Sequence, residues 1–227
     1  ERRRCTRRLC RESCQIDTNA RAEQRWRQGM IRFLDLAAQY STIEKEINNA
    51  IASVIKEAGF VGGRHVEKFE TAFADYQATR HCIGVGNGTD ALELIIEALD
   101  MPPGEIIVPA NSFIASAEAV SRTGHRVVFC DVDPRTYCLS VEDARRRITD
   151  RTVALMPVHL YGHPADMPEI ARIAGDGGLS IVEDCAQAHG ARIDGRPRGV
   201  RAAAAAGFRL RQSGCRPVRF HAAGYHS

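Results

Sequence analysis

The sequence predicts an α/β fold, a mainly parallel sheet with helices on both faces. Three observations predict it. Between His81 and Val182, five short apolar runs alternate with four helical stretches, the signature of βαβ units. The runs are apolar without alternation, as strands covered on both sides are. Several of them end in glycines, carboxylates or amides, and in open α/β sheets ligands gather beyond the carboxyl ends of the strands.

The elements follow in order. Ile43, Ile47, Ile51, Val54 and Ile55 recur at three- and four-residue steps, so the first helix has one apolar face, and Gly59 is expected to stop it. Gly62-Gly63 reads as a turn. Val66, Phe69, Phe73 and Tyr76 mark one side of a second helix and are expected in a core or an interface. The expected strands are His81–Val85, Glu105–Pro109, Arg126–Val132, Val153–Val158 and Leu179–Val182. The expected helices between them are Asp90–Leu99, Phe113–Arg122, Val141–Ile148 and Pro168–Ala174. Crossovers between parallel strands are right-handed.

The 227 residues are 44% hydrophobic and 26% charged, ordinary values for a globular protein. The net charge of +3 averages over unlike parts. Residues 1–29 hold nine Arg and four acids, residues 201–227 five Arg and no acid, and residues 30–200 have 17 basic and 24 acidic side chains. A nucleic-acid surface is therefore not expected in the middle of the chain. There is no apolar run of about 18 residues, so no membrane span is expected, and no secretory leader is recognised. The expected location is cytoplasmic. Cys5, Cys10 and Cys14 lack a zinc-type second half, and Cys82, Cys130, Cys138 and Cys185 fall in or beside strands as buried thiols. No metal site is expected. His159 and His163 are separated by Gly162, with Pro164 beyond, so they need not share a face.

Three domain stretches are expected: a disordered or non-native extension over 1–29, with Met30 as a natural start, an α/β domain over 30–200, and an aberrant tail over 201–227. The tail is Ala- and Arg-rich and acid-free, as an out-of-frame GC-rich message would be.

Gly84-Val85-Gly86-Asn87-Gly88-Thr89-Asp90 lies between a strand and a helix. Glycines admit an anion to the backbone, and the first N–H groups of the helix point at it. A dinucleotide fingerprint is the rival reading. It lacks its third glycine, where Thr89 stands, and its acid at the end of the next strand. A plain glycine turn is the third. Phe113 ends Pro109-Ala110-Asn111-Ser112-Phe113, either as a core residue or as a ring at a site. Glu183-Asp184-Cys185-Ala186-Gln187 follows the last apolar run, and a carboxylate there needs a cationic partner to stay charged.

These segments, with His159-Leu160-Tyr161-Gly162-His163-Pro164-Ala165-Asp166-Met167, resemble the DegT/DnrJ/EryC1/StrS family of sugar aminotransferases over about residues 33–199. The resemblance implies the large domain of a fold type I transferase dependent on pyridoxal 5'-phosphate (PLP). It implies that Gly88 and Thr89 hold the phosphate, Phe113 lies over the ring, Asp184 holds the pyridinium nitrogen and Gln187 approaches the ring hydroxyl. It also implies an amino-acid donor, usually glutamate, a keto-sugar nucleotide acceptor and a homodimer. The family's Schiff-base lysine has no counterpart. The only lysines are Lys45, Lys56 and Lys68, ahead of every cofactor motif. No catalytic residue is therefore assigned, the family's small C-terminal domain is read as absent, and the chain is expected to be a truncated, inactive copy. Two alternatives stay open: a non-catalytic α/β binding or regulatory module, and an NAD-type dehydrogenase.

Overall fold

A computed structural model describes residues 34–193 and 195–197. The expectations for 1–29, for a start at Met30 and for 201–227 lie outside the described residues. The chain divides into two compact units, Glu1–Phe60 and Val61–Ser227.

In the first unit the Asp35 carboxylate accepts the Ala38 N–H at 3.1 Å and caps helix α1, Leu36–Glu57. The helix stops one residue earlier than Gly59 predicts. Ala58 takes the left-handed conformation (φ 50°), and the Gly59 N–H turns back to the Val54 carbonyl.

The second unit begins with α2, Arg64–Tyr76, after the left-handed Gly62 and Gly63. Its aromatics form a row, Phe69 stacked on Phe73 at 5.5 Å and Phe73 tilted against Tyr76 at 6.3 Å. Phe69 and Tyr76 stay about half exposed, so the row is only partly covered by the described residues. Then come α3 (Gly88–Ala98), β1 (Glu105–Pro109), α4 (Ile114–Arg122), β2 (Arg126–Cys130), α5 (Val141–Arg147), β3 (Thr152–Leu155), a 3-10 turn (Leu160–Gly162), α6 (Met167–Gly177) and β4 (Ser180–Ile181). A two-residue hairpin closes the described chain, β5 (Arg192–Ile193) with β6 (Arg196–Pro197).

The four-stranded sheet is parallel, in the order β2-β1-β3-β4. The chain winds from β1 outward to β2, crosses back past β1 to β3, and goes on to β4. With right-handed crossovers this reversal sends α4 to one face and α5 and α6 to the other. The packing shows the result. Ile106 and Val108 of β1, Ala154 and Met156, and Val182 meet Leu92, Ile95 and Ile96 of α3 and Ala119 and Val120 of α4. Ile107, Leu155 and Ile181 meet Ala144 of α5 and Ile170, Ile173 and Ala174 of α6. Each apolar run thus feeds two cores by turns, which is why the runs read as continuous.

Three expectations are corrected. Residues 81–85 form no strand: the described residues give them no sheet neighbour, and the Gly84 N–H is taken by the Glu70 carboxylate at 2.7 Å. Among the described residues β2 is an edge strand, and Phe129 on it is half exposed rather than covered. The fourth run, Val153–Val158, leaves strand geometry after Leu155 because Pro157 has no N–H to give a ladder. The pairing nonetheless resumes beyond it, through Val182 N–H to Leu155 O, Asp184 N–H to Pro157 O and His159 N–H to Asp184 O.

Candidate functional site

The strand alternation sets the site. Ile181 faces the α5/α6 core and Val182 the α3/α4 core, so Glu183 and Asp184 diverge in the same way. Glu183 turns to His159, with Oε2 3.0 Å from Nε2, both side chains almost wholly buried. His159 Nδ1 accepts the Ala165 N–H at 3.0 Å, so the ring proton sits on Nε2 and is donated to Glu183.

Asp184 turns to α4. Its Oδ2 accepts the Ser116 hydroxyl at 2.8 Å and its Oδ1 the Ala186 N–H at 3.1 Å. It is 7% exposed. Both donors are neutral, and among the described residues no cation pairs with it. Ser116 in turn shares a 2.7 Å hydrogen bond with Ser112. Phe113 stands between these two serines, exposed, at the cap of α4.

Gly88 is buried and opens α3, with Thr89 next, half-buried. Asn87 in extended backbone caps the helix, accepting the Asp90 N–H at 2.9 Å. The N–H groups of Gly88 and Thr89 are the first two of that helix and have no partner within it. Since α3 and α4 cover the same face of the sheet, the Gly88-Thr89 turn and the Asp184 side chain share that face. Gln187 lies in the loop after Asp184, exposed, its Oε1 accepting the Tyr161 N–H at 2.7 Å. That bond aims the carbonyl end of the side chain at the backbone.

Sequence reasoning missed Ser116 and the His159–Glu183 pair. The adjacent carboxylates after a two-sided strand carried the signal for the second, since neighbours must face opposite ways. His159, Glu183 and Cys185 bring ligand-type atoms within 4.8 Å of one another, all buried. The direct bond between His159 and Glu183 accounts for two of the three without an ion. His163 is exposed and points elsewhere, its Nδ1 2.9 Å from the Pro164 carbonyl.

Fold and site together define an open, doubly wound α/β domain with a carboxylate and a helix N-terminus on one face at the carboxyl end of its sheet. The sequence profile of the DegT/DnrJ/EryC1/StrS aminotransferase family matches residues 41–208, and the chain belongs to that family. Among its relatives is a UDP-N-acetyl-3-dehydro-alpha-D-glucosamine 3-aminotransferase of Acidithiobacillus ferrooxidans, 44% identical over 73% of this chain and 45% of the relative. Among solved structures, Streptomyces venezuelae DesV in complex with a ketimine intermediate superposes with a TM-score of 0.72, at 45% identity over 74% of this chain and 46% of DesV. NtdA from Bacillus subtilis with bound cofactor PMP gives a TM-score of 0.64, at 30% identity over 73% of this chain and 43% of NtdA. The chain spans a little under half the length of these relatives. Family membership sets aside the dehydrogenase reading. No helix among the described residues is long and apolar enough to cross a membrane.

Proposed function

We propose that this chain forms the cofactor-binding part of a nucleotide-sugar aminotransferase and binds PLP, or its amine form PMP, without a covalent link. The observation that carries the reading is Asp184, a buried carboxylate at a strand tip whose partners among the described residues are neutral. A carboxylate so placed calls for a cation, and a protonated pyridine nitrogen is one that fits.

Asp184 would keep that nitrogen protonated. The opening N–H groups of α3, at Gly88 and Thr89, would hold the phosphate, as helix N-termini hold anions. Phe113 would cover the ring, and the Gln187 amide NH2 would reach the ring oxygen. When bound, the cofactor supplies an electron sink, while the protein supplies orientation and charge. The amino group would come from an amino acid, glutamate in the first instance, and go to a keto-sugar nucleotide. The family pattern also favours a homodimer. Lys45 and Lys56 lie in α1 and Lys68 in α2, ahead of every cofactor motif. These 227 residues would therefore bind cofactor without turning over.

PMP titration tests this directly, since PMP needs no lysine to bind. Saturable binding is expected, weakened about 100-fold in Asp184→Asn, the scale for truncating one side of a buried charge pair. Equal affinity in the two proteins, or no saturable binding by either, would overturn the reading.

A further inference from the structure

Tyr137 and Tyr161 are two of only five non-glycine residues with positive φ among the described residues, at 58° and 56°. Tyrosine has no intrinsic liking for that region. Strain of this kind persists where the surroundings impose it and gathers at functional sites. The two rings meet edge to face, centroids 6.1 Å apart. Both remain largely exposed, at 53% and 76%.

Their position in the sheet is specific. Tyr137 lies in the loop after β2 and Tyr161 in the turn after β3. These strands flank β1, so the ring contact crosses the carboxyl end of β1. The direction of winding reverses there, between β1 and β3, and that switch point is where open α/β sheets hold their ligands. Both tyrosines are tied to the site. The Asn111 amide, just past β1, donates to the Tyr137 carbonyl at 3.0 Å, and the Gln187 carbonyl accepts the Tyr161 N–H at 2.7 Å.

We propose that the Tyr137–Tyr161 pair is a stacking wall for the flat base of a nucleoside diphosphate, next to the cofactor site. The inference rests on the nucleotide-sugar reading given above and adds the residues that would recognise the nucleotide. An edge-to-face pair leaves ring faces open to a heterocycle, and base stacking is tolerant of base identity. A backbone held in a costly conformation by two site amides keeps those faces fixed.

The full chain is titrated with UDP and, separately, with PMP, in the wild type and in Tyr137→Asn, Tyr161→Asn and the double variant. Asparagine accepts left-handed backbone, so these variants should melt at or above the wild-type temperature. The expected result is UDP affinity lowered about 10-fold per ring lost, with PMP affinity unchanged. Tyr161→Phe should bind UDP as the wild type does. Unchanged UDP affinity in the double variant overturns the proposal. So does a fall in melting temperature that parallels the loss of binding, or a change in oligomeric state with UDP binding intact. Wild type that binds PMP but not UDP overturns the wall and leaves the cofactor reading standing. Tyrosine-dependent UDP binding without any PMP binding supports the wall and overturns the cofactor reading instead.

Discussion

The Ser116 hydroxyl donates to Asp184 Oδ2 at 2.8 Å, joining residues 68 positions apart across the α4–sheet boundary. With the Ala186 N–H on the other oxygen, it fixes the plane of a carboxylate that no cation among the described residues pairs with. Ser116→Ala leaves a buried oxygen one bond short, which costs about 1–3 kcal/mol. Urea unfolding should show that loss. PMP affinity should fall about 10-fold, because the freed carboxylate no longer faces one way. A variant that loses stability while binding PMP at wild-type strength would reduce Ser116 to a packing residue.

His159 and Glu183 hold the opposite side of the same strand tip. The histidine ring bridges the Ala165 N–H and Glu183, and its own backbone N–H donates to the Asp184 carbonyl. His159→Phe fills much of the space and provides neither bond. It removes the imidazole from its bonds to the Glu183 carboxylate and the Ala165 N–H, a change worth about 1–3 kcal/mol for each bond lost. Glu183→Gln keeps an oxygen acceptor facing Nε2 and should cost about 1 kcal/mol. Equilibrium unfolding of the two variants ranks them, and a smaller loss for His159→Phe would contradict the assignment of the ring proton to Nε2.

Acid sensitivity has an identifiable contributor. The Asp131 N–H at 2.8 Å and the Arg147 guanidinium at 2.6 Å, aided by Arg146, hold the Asp143 carboxyl down to about 2. A lowered folded-state value means stability present above the unfolded value, about 3.9, and lost as pH falls toward the folded one. Stability should therefore drop between about pH 4 and pH 2. Asp143→Asn should lower stability at pH 7 and flatten that limb. Unfolding curves at a series of pH values measure both effects, and an unchanged acid slope would remove Asp143 from the account.

Much of the fold was legible because two cores were written into one set of strands. Ile106, Ile107 and Val108 serve the two faces by turns, and the span expected for β1 matches the one observed. Residues 81–85 were not legible as non-strand. A strand depends on a neighbour, and composition does not say whether one is present. Asp184 was legible as an acid after an apolar run. Its anchor was not, since Ser116 sits in an Ala-rich helix and looks like any small helical residue until β4 is laid beside it. Tyr137 and Tyr161 escaped for a similar reason: left-handed backbone is signalled by glycine and asparagine, and tyrosine gives no such signal.

Gly190 links this rim to the second helix. Its φ is +78°, and a Cβ there would run into the Tyr76 hydroxyl, while Phe73 meets His189 edge-on at 5.6 Å. Gly190→Ala therefore carries two separable penalties. One is backbone strain, about 1–2 kcal/mol for an L-residue in the left-handed region. The other is the collision, which must move either Tyr76 or the loop that holds Gln187. The second penalty should disappear in a Gly190→Ala, Tyr76→Ala background and the first should stay. A double-mutant cycle on unfolding free energy would then show coupling between the two positions. If the loop is what moves, Gly190→Ala also weakens PMP binding and the added Tyr76→Ala restores it. If Tyr76 moves, stability falls while affinity holds. Additive losses, with no coupling at all, would mean that the Tyr76 ring does not constrain the loop.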